Sequence, residues 1–161
     1  MMYEINTLLG RNVKVQPRVE LYNVRNLLSG EFVPGLAICL DEDGNPNKPF
    51  PILTKSFGEF IGLKNTAYID LNNCPFATEF LRLGVAEDTG FYKESGYCRY
   101  PLWRFKEDFL KEHGAENYQK YSDAYEECAK WWNFDDEHTE NDENQEDMVQ
   151  DENQEIGGMN Q

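Results

Sequence analysis

Eleven of the 30 acidic residues in this 161-residue chain crowd into residues 133–161, where no lysine or arginine accompanies them. The segment has no aromatic residue beyond Phe134 and is dominated by Asn, Gln, Asp and Glu. It cannot bury enough apolar surface to offset the entropy of ordering it, so the sequence predicts a disordered acidic tail. A packed core is thereby confined to residues 1–132, which suits a single modest domain. Aromatic residues make up 14% of the chain, ample for such a core.

The formal net charge is −15, yet residues 1–132 hold 19 acids against all 15 bases, so the body is only mildly acidic. Single-sign blocks of this kind serve as solubilising or interaction tails. Such a chain is poorly equipped to grip a phosphate backbone, which needs clustered Lys and Arg, so direct nucleic-acid binding is not expected. It suits a basic protein surface better, such as the nucleic-acid groove of another protein. The opening "MMYEINTLLGR" shows no basic segment ahead of a long apolar run, the mark of a secretory signal. No stretch approaches the roughly 20 apolar residues of a membrane span. A cytoplasmic setting is expected, with Cys39, Cys74, Cys98 and Cys128 as reduced thiols.

Residues 12–22, "NVKVQPRVELY", alternate Val13, Val15, Val19 and Leu21 around Pro17. Period two predicts a half-buried strand, and the proline points to an edge or a bulge. "GLAICL", residues 35–40, is continuously apolar after its glycine and reads as a strand covered on both faces. The loop "DEDGNPNKP" follows, with a returning strand expected at 50–57. In "AYIDLNNCPFATEFL", residues 67–81, the strand stripe Ala67, Ile69, Leu71 gives way to the helical stripe Phe76, Ala77, Phe80, Leu81. Asn73 is the expected N-cap, with Pro75 in the first turn. Two short aromatic strands around "KESG" are predicted within 90–105, then helices near 104–113 and 116–132. In the second helix Tyr118, Tyr121, Tyr125, Cys128 and Trp132 form one stripe. The class is α+β: a small, mostly antiparallel sheet, a short mid-chain helix and C-terminal helices.

Few residues carry chemistry. Of two histidines, His113 ends a predicted helix beside a glycine that can act as its C-cap, and His138 falls in the tail. There is no nucleophile elbow and no glycine-rich phosphate loop. No two cysteines lie within four residues, so no zinc spacing is present, and neither a cofactor nor a catalytic residue is expected. The one metal set to check is zinc at Asp70, Cys74 and Cys98, should the 90–105 hairpin pack on the 67–81 junction. Cys74, at a helix start, is also the candidate for a depressed thiol pKa. Asp70, beside Asn72 and Asn73, needs donors if it is covered, with Thr89, Ser95 and Tyr97 as possible sources, and otherwise marks a binding site. Tyr97, Tyr100, Trp103, Tyr118, Tyr121, Tyr125, Trp131 and Trp132 exceed what a small core hides. Within this set Tyr97, Tyr100, Trp103, Tyr121 and Tyr125 join Asp70, Asn72 and Asn73 as candidate binding residues.

The run "YIDLNNCPFATEFL", then "GVAEDTGFYKESGYCRYPLWRF", with "LAICLDEDGNPNKPFPILT" upstream, resembles an uncharacterised domain family. Its members are small proteins carried by bacterial phages, plasmids and conjugative elements. The resemblance covers roughly residues 10–105 and leaves the last helix and tail as additions. It rests on Asp70, Asn72 and Asn73 before a helix, Thr89-Gly90, Ser95-Gly96, Cys98 and Tyr100-Pro101. It implies accessory cargo of mobile elements, a setting in which small acidic proteins often inhibit host defence. A non-enzymatic inhibitor of a basic defence nuclease, such as a CRISPR effector, is the expected role. The alternative is a metal- or small-ligand-binding domain, possibly an enzyme, centred on Asp70, Cys74 and Cys98.

Overall fold

The computed structural model describes residues 1–7, 10–48 and 50–130, so Trp131, Trp132, His138 and the expected tail at 133–161 lie outside the described residues. The chain divides into two units, residues 1–124 and residues 125–161.

Strands β1 (Tyr3–Asn6), β2 (Asn12–Arg25) and β3 (Phe32–Glu42) form one antiparallel sheet in the order β1-β2-β3. Along β2, Val13, Val15, Pro17 and Val19 are buried, while Asn12, Lys14 and Arg18 are exposed. Strand β1 accompanies only Asn12–Val15, so from Pro17 onward β2 pairs with β3 alone. A residue without an N–H is tolerated on that open side. In β3, Leu36, Ala37, Ile38 and Leu40 are all buried, as the unbroken apolar run predicts.

The second sheet comprises β4 (Thr54–Lys55), β5 (Thr66–Ile69), β6 (Ala86–Ser95) and β7 (Cys98–Phe105), in the antiparallel order β4-β5-β7-β6. The α+β class is therefore correct, with the strands shared between two sheets. The returning strand expected at 50–57 is mostly not a strand. The backbone N–H groups of Phe50 and Leu53 do donate to Leu40 and Ile38 of β3, at 2.9 and 3.0 Å. Only Thr54–Lys55 then joins a ladder, and it joins β5. Leu53 also accepts from Asp70 N–H at 3.0 Å, so this short segment ties one sheet to the other. A second tie runs between Arg25 and the loop after β4: Arg25 N–H donates to Gly58 and Phe60 N–H donates to Arg25.

The mid-chain helix begins as a 3₁₀ turn, Pro75–Thr78, and continues as α1 (Glu79–Arg82). Helices α2 (Glu107–Gly114) and α3 (Glu116–Ala129) close the described chain. The predicted C-cap role of Gly114 needs correction. The left-handed residue is Ala115, at φ 45°, and a Cβ on Gly114 would sit 2.8 Å from Val19 Cβ. Gly114 is there to let α2 approach β2. Among the residues of the first unit, Trp103, Phe80, Phe105, Ile38, Leu40 and Leu110 are fully buried core. In the second unit Lys130 Nζ lies 3.4 Å from Glu127 Oε1 at the end of α3. Among the described residues no helix is long and apolar enough to cross a membrane.

Candidate functional site

Strand β5 ends at Ile69, and Asp70 turns the chain. Its Oδ1 accepts the Asn73 backbone N–H at 3.2 Å, its Oδ2 accepts Asn73 Nδ2–H at 2.7 Å, and its carbonyl accepts Cys74 N–H at 2.8 Å. Asp70 is only 9% exposed, so the carboxylate needs these donors. They come from Asn73 rather than from Thr89, Ser95 or Tyr97; the Thr89 hydroxyl donates instead to the Leu102 carbonyl at 2.7 Å. Asn73 also fails to be the expected N-cap. Cys74 holds that position with no side-chain cap bond, because the Asn73 amide is already committed to Asp70.

Cys74 is buried, and its thiol donates to the Ile52 carbonyl at 3.2 Å. Burial pushes its pKa up to about 12, and the charge of Asp70 adds to the shift. The depressed, reactive thiol considered from sequence is thus reversed. The hairpin does pack on the junction. The Tyr100 phenol lies close enough to Cys98, Asn72 and Asp70 for each to act on its titration. Burial first, then Cys98, holds that phenol above its ordinary range, with Asn72 pulling it down. Asp70, Asn72, Cys98 and Tyr100 are therefore neighbours. Even so, no three His, Cys, Asp or Glu side chains among the described residues gather as a metal site requires. Asp70, Cys74 and Cys98 do not make one. All four cysteines are free.

The aromatic candidates separate sharply. Tyr100, Trp103, Tyr118 and Tyr121 are core, and Tyr125 is half-buried; Tyr97 alone of those described is fully exposed. Two exposed partners were missed: Phe91, 63% exposed, and Tyr92, 51% exposed. Strand β6 is an edge strand whose register with β7 shifts between Asp88 and Tyr92. The irregularity is built by Gly90 at φ 88° and by the Thr89 hydroxyl, which accepts Phe91 N–H at 3.2 Å. A bulge of this kind twists an edge strand and re-aims its side chains. The visible signal was Thr89-Gly90, a glycine inside a strand pattern. The guanidinium of Arg99 lies 4.1 Å from the Tyr92 ring centroid and anchors it. At the turn, Gly96 takes φ 62°, which presents Tyr97 at the hairpin tip.

A cavity of about 190 Å³ lies between β2, β3 and β5 and under the loop that follows β4. Tyr22, Phe57, Tyr68 and Tyr121 supply most of its aromatic wall, and Lys55 stands among its lining residues. Tyr22, Lys55 and Ser56 also border a shallower groove that reaches Asp70 and Asn73.

The model of a family described as "Domain of unknown function (DUF4313)" matches residues 31–125. The match takes in α2, beyond the residues 10–105 of the resemblance seen in the sequence, and most of α3, the last helix that the resemblance had left as an addition; it omits β1 and β2. No curated protein and no solved structure matches the chain.

Proposed function

Because the chain belongs to this domain family, whose description names no activity, we propose a role from surface chemistry: a non-enzymatic accessory protein of bacterial mobile elements that binds and inhibits a basic host-defence protein. A CRISPR effector nuclease is the partner class that fits best, since its grooves for guide RNA and DNA are basic. The observation that carries this reading is the trio Phe91, Tyr92 and Tyr97, held out to solvent on one edge hairpin. Exposed Phe and Tyr side chains fixed on a rigid element are the residues that become buried anchors in complexes. Strands β6 and β7 carry three acids and three bases, so the hairpin offers apolar contact rather than charge. The −15 of the whole chain supplies the long-range attraction.

The test is inhibition of purified CRISPR effectors and restriction nucleases by the full chain and by the triple variant F91S/Y92S/Y97S. Loss of inhibition by about 30-fold or more, with the melting temperature unchanged, is the expected result. Inhibition that survives the triple substitution, or no inhibition of any nuclease by the wild type, defeats the proposal. The alternative centred on Asp70, Cys74 and Cys98 has less support, because Asn73 occupies both Asp70 oxygens and Cys74 is closed off.

A further inference from the structure

We infer that the cavity between the two sheets is a binding site for a small planar aromatic anion, a ring carrying one carboxylate. This site is separate from the hairpin aromatics and does not depend on their role. Its volume of about 190 Å³ exceeds the roughly 150 Å³ of an apolar cavity known to hold benzene, so one ring or a fused pair fits.

One lining residue is a glycine whose reason is packing against its neighbour strand. Gly35 faces Tyr22 in the β2–β3 register and lines the cavity. Its φ is not among the positive ones, so the backbone does not demand glycine. A glycine inside a strand is normally unfavourable, for entropy and for lost packing. A Cβ there would meet Val24 Cγ1 at 3.0 Å and force that side chain to give way. Gly35 thus lets the Val24 side chain lie close against β3, and the two together form one wall of the cavity.

Ring geometry sets the shape of the occupant. Phe57 meets Tyr68 edge-to-face at 5.4 Å between centroids, and on its other contact meets Tyr100 in the same manner at 5.3 Å. These contacts hold the Phe57 ring in place as a fixed wall, and aromatic walls favour a flat ring stacked or edged against them. Tyr22 is held as well, its hydroxyl donating to the Thr54 carbonyl at 3.0 Å.

Charge sets the sign. Two charged side chains line the cavity, Lys55 and Glu59. Glu59 is already paired with Lys93 at 3.2 Å. Lys55 Nζ lies 5.7 Å from the Phe57 centroid and 6.0 Å from that of Tyr100, and no described carboxylate pairs with it. The charge left over at this site is positive, and a carboxylate on the bound ring satisfies it.

The experiment is titration of the full chain, by calorimetry and by amide chemical shifts, with indole-3-carboxylate, benzoate, indole and tryptamine. Indole-3-carboxylate is expected to bind most tightly, indole more weakly and tryptamine least. Lys55→Met should weaken the two carboxylates about tenfold and leave indole unchanged. Phe57→Ala should weaken all of the ring ligands, and Lys48→Met, on a distant loop, should change nothing. The melting temperature of each variant establishes that it is folded. The inference is overturned if no probe binds below roughly millimolar concentration, if tryptamine matches the carboxylate, or if Lys55→Met leaves carboxylate affinity intact.

Discussion

Asn65 joins three elements through one unusual backbone conformation. At φ 66° it is left-handed, its carbonyl accepts Phe105 N–H at 2.8 Å, its N–H donates to the Tyr121 hydroxyl at 2.9 Å, and its Oδ1 accepts the Tyr118 hydroxyl at 2.8 Å. Asparagine tolerates this region better than most residues. Asn65→Ala should cost about 2 kcal/mol in denaturant unfolding, from backbone strain and the loss of a partner for Tyr118. Asn65→Gly keeps only the second penalty, so it should be the milder change; equal effects would mean that strain contributes nothing. His113 makes a different residue-scale prediction. Its side chain is fully buried between Tyr3 and Phe109, and its Nε2 has no hydrogen-bond partner. Desolvation lowers its pKa from 6.5, outweighing Glu112 and the Pro17 carbonyl, which favour the charged form. Below pH 6.5 the unfolded chain therefore binds the proton that the folded chain resists. Stability should be full above that pH and fall as the pH drops through it. A stability profile that His113→Phe leaves equally steep between pH 6.5 and 5 would remove His113 as the cause.

At the scale of elements, α2 rests on β2 through a glycine that its own conformation does not require. Gly114→Ala forces a methyl against Val19 Cβ at 2.8 Å and Tyr118 Cβ at 3.1 Å. Neither neighbour is the far end of a flexible side chain, so a loss of about 1–3 kcal/mol is expected, as for overpacked cores. The adjacent substitution should run the other way. Ala115 sits at φ 45° and ψ −112°, a region in which glycine is at ease, so Ala115→Gly should stabilise by up to about 1 kcal/mol. Paired unfolding curves for the two variants decide both points together. If the order is reversed, the left-handed residue and the packing residue have been exchanged.

Charge acts over the molecule as a whole. Exposed ion pairs such as Arg99–Glu94 at 3.2 Å and Arg104–Glu87 at 3.3 Å balance locally and contribute little to stability. The imbalance comes chiefly from residues 133–161, with 11 acids and no base. If the proposed basic partner is met electrostatically, association should slow as ionic strength rises, because the Debye length shrinks to about 8 Å at physiological salt. Removing residues 133–161 should likewise lower the association rate while leaving most of the dissociation rate unchanged, as read by surface-immobilised kinetics. An association rate indifferent to both salt and truncation would put the attraction elsewhere.

The sequence by itself determined what depends on near neighbours along the chain. Alternation at Val13, Val15 and Val19, the apolar run at 35–40, and the spacing of Tyr118 and Tyr121 are periodic, and periodicity fixes which face is buried. The α+β class follows from the same patterns. Tertiary structure alone decided the contents of the site. Whether Trp103 is core or surface depends on what β5, β6 and β7 place around it, and no local pattern encodes that. Phe91 and Tyr92 are exposed because β6 is an edge strand with a shifted register, a property of the sheet rather than of the strand. The Asn73 amide bonds to Asp70 instead of capping because the turn closes around a covered carboxylate, which binds the nearest donors. Lys55 and Phe57 line a cavity with Tyr22 only because the 50–60 segment crosses from one sheet to the other. Contacts between residues distant in sequence depend on loop closure and mutual packing, and these are set by all the elements at once.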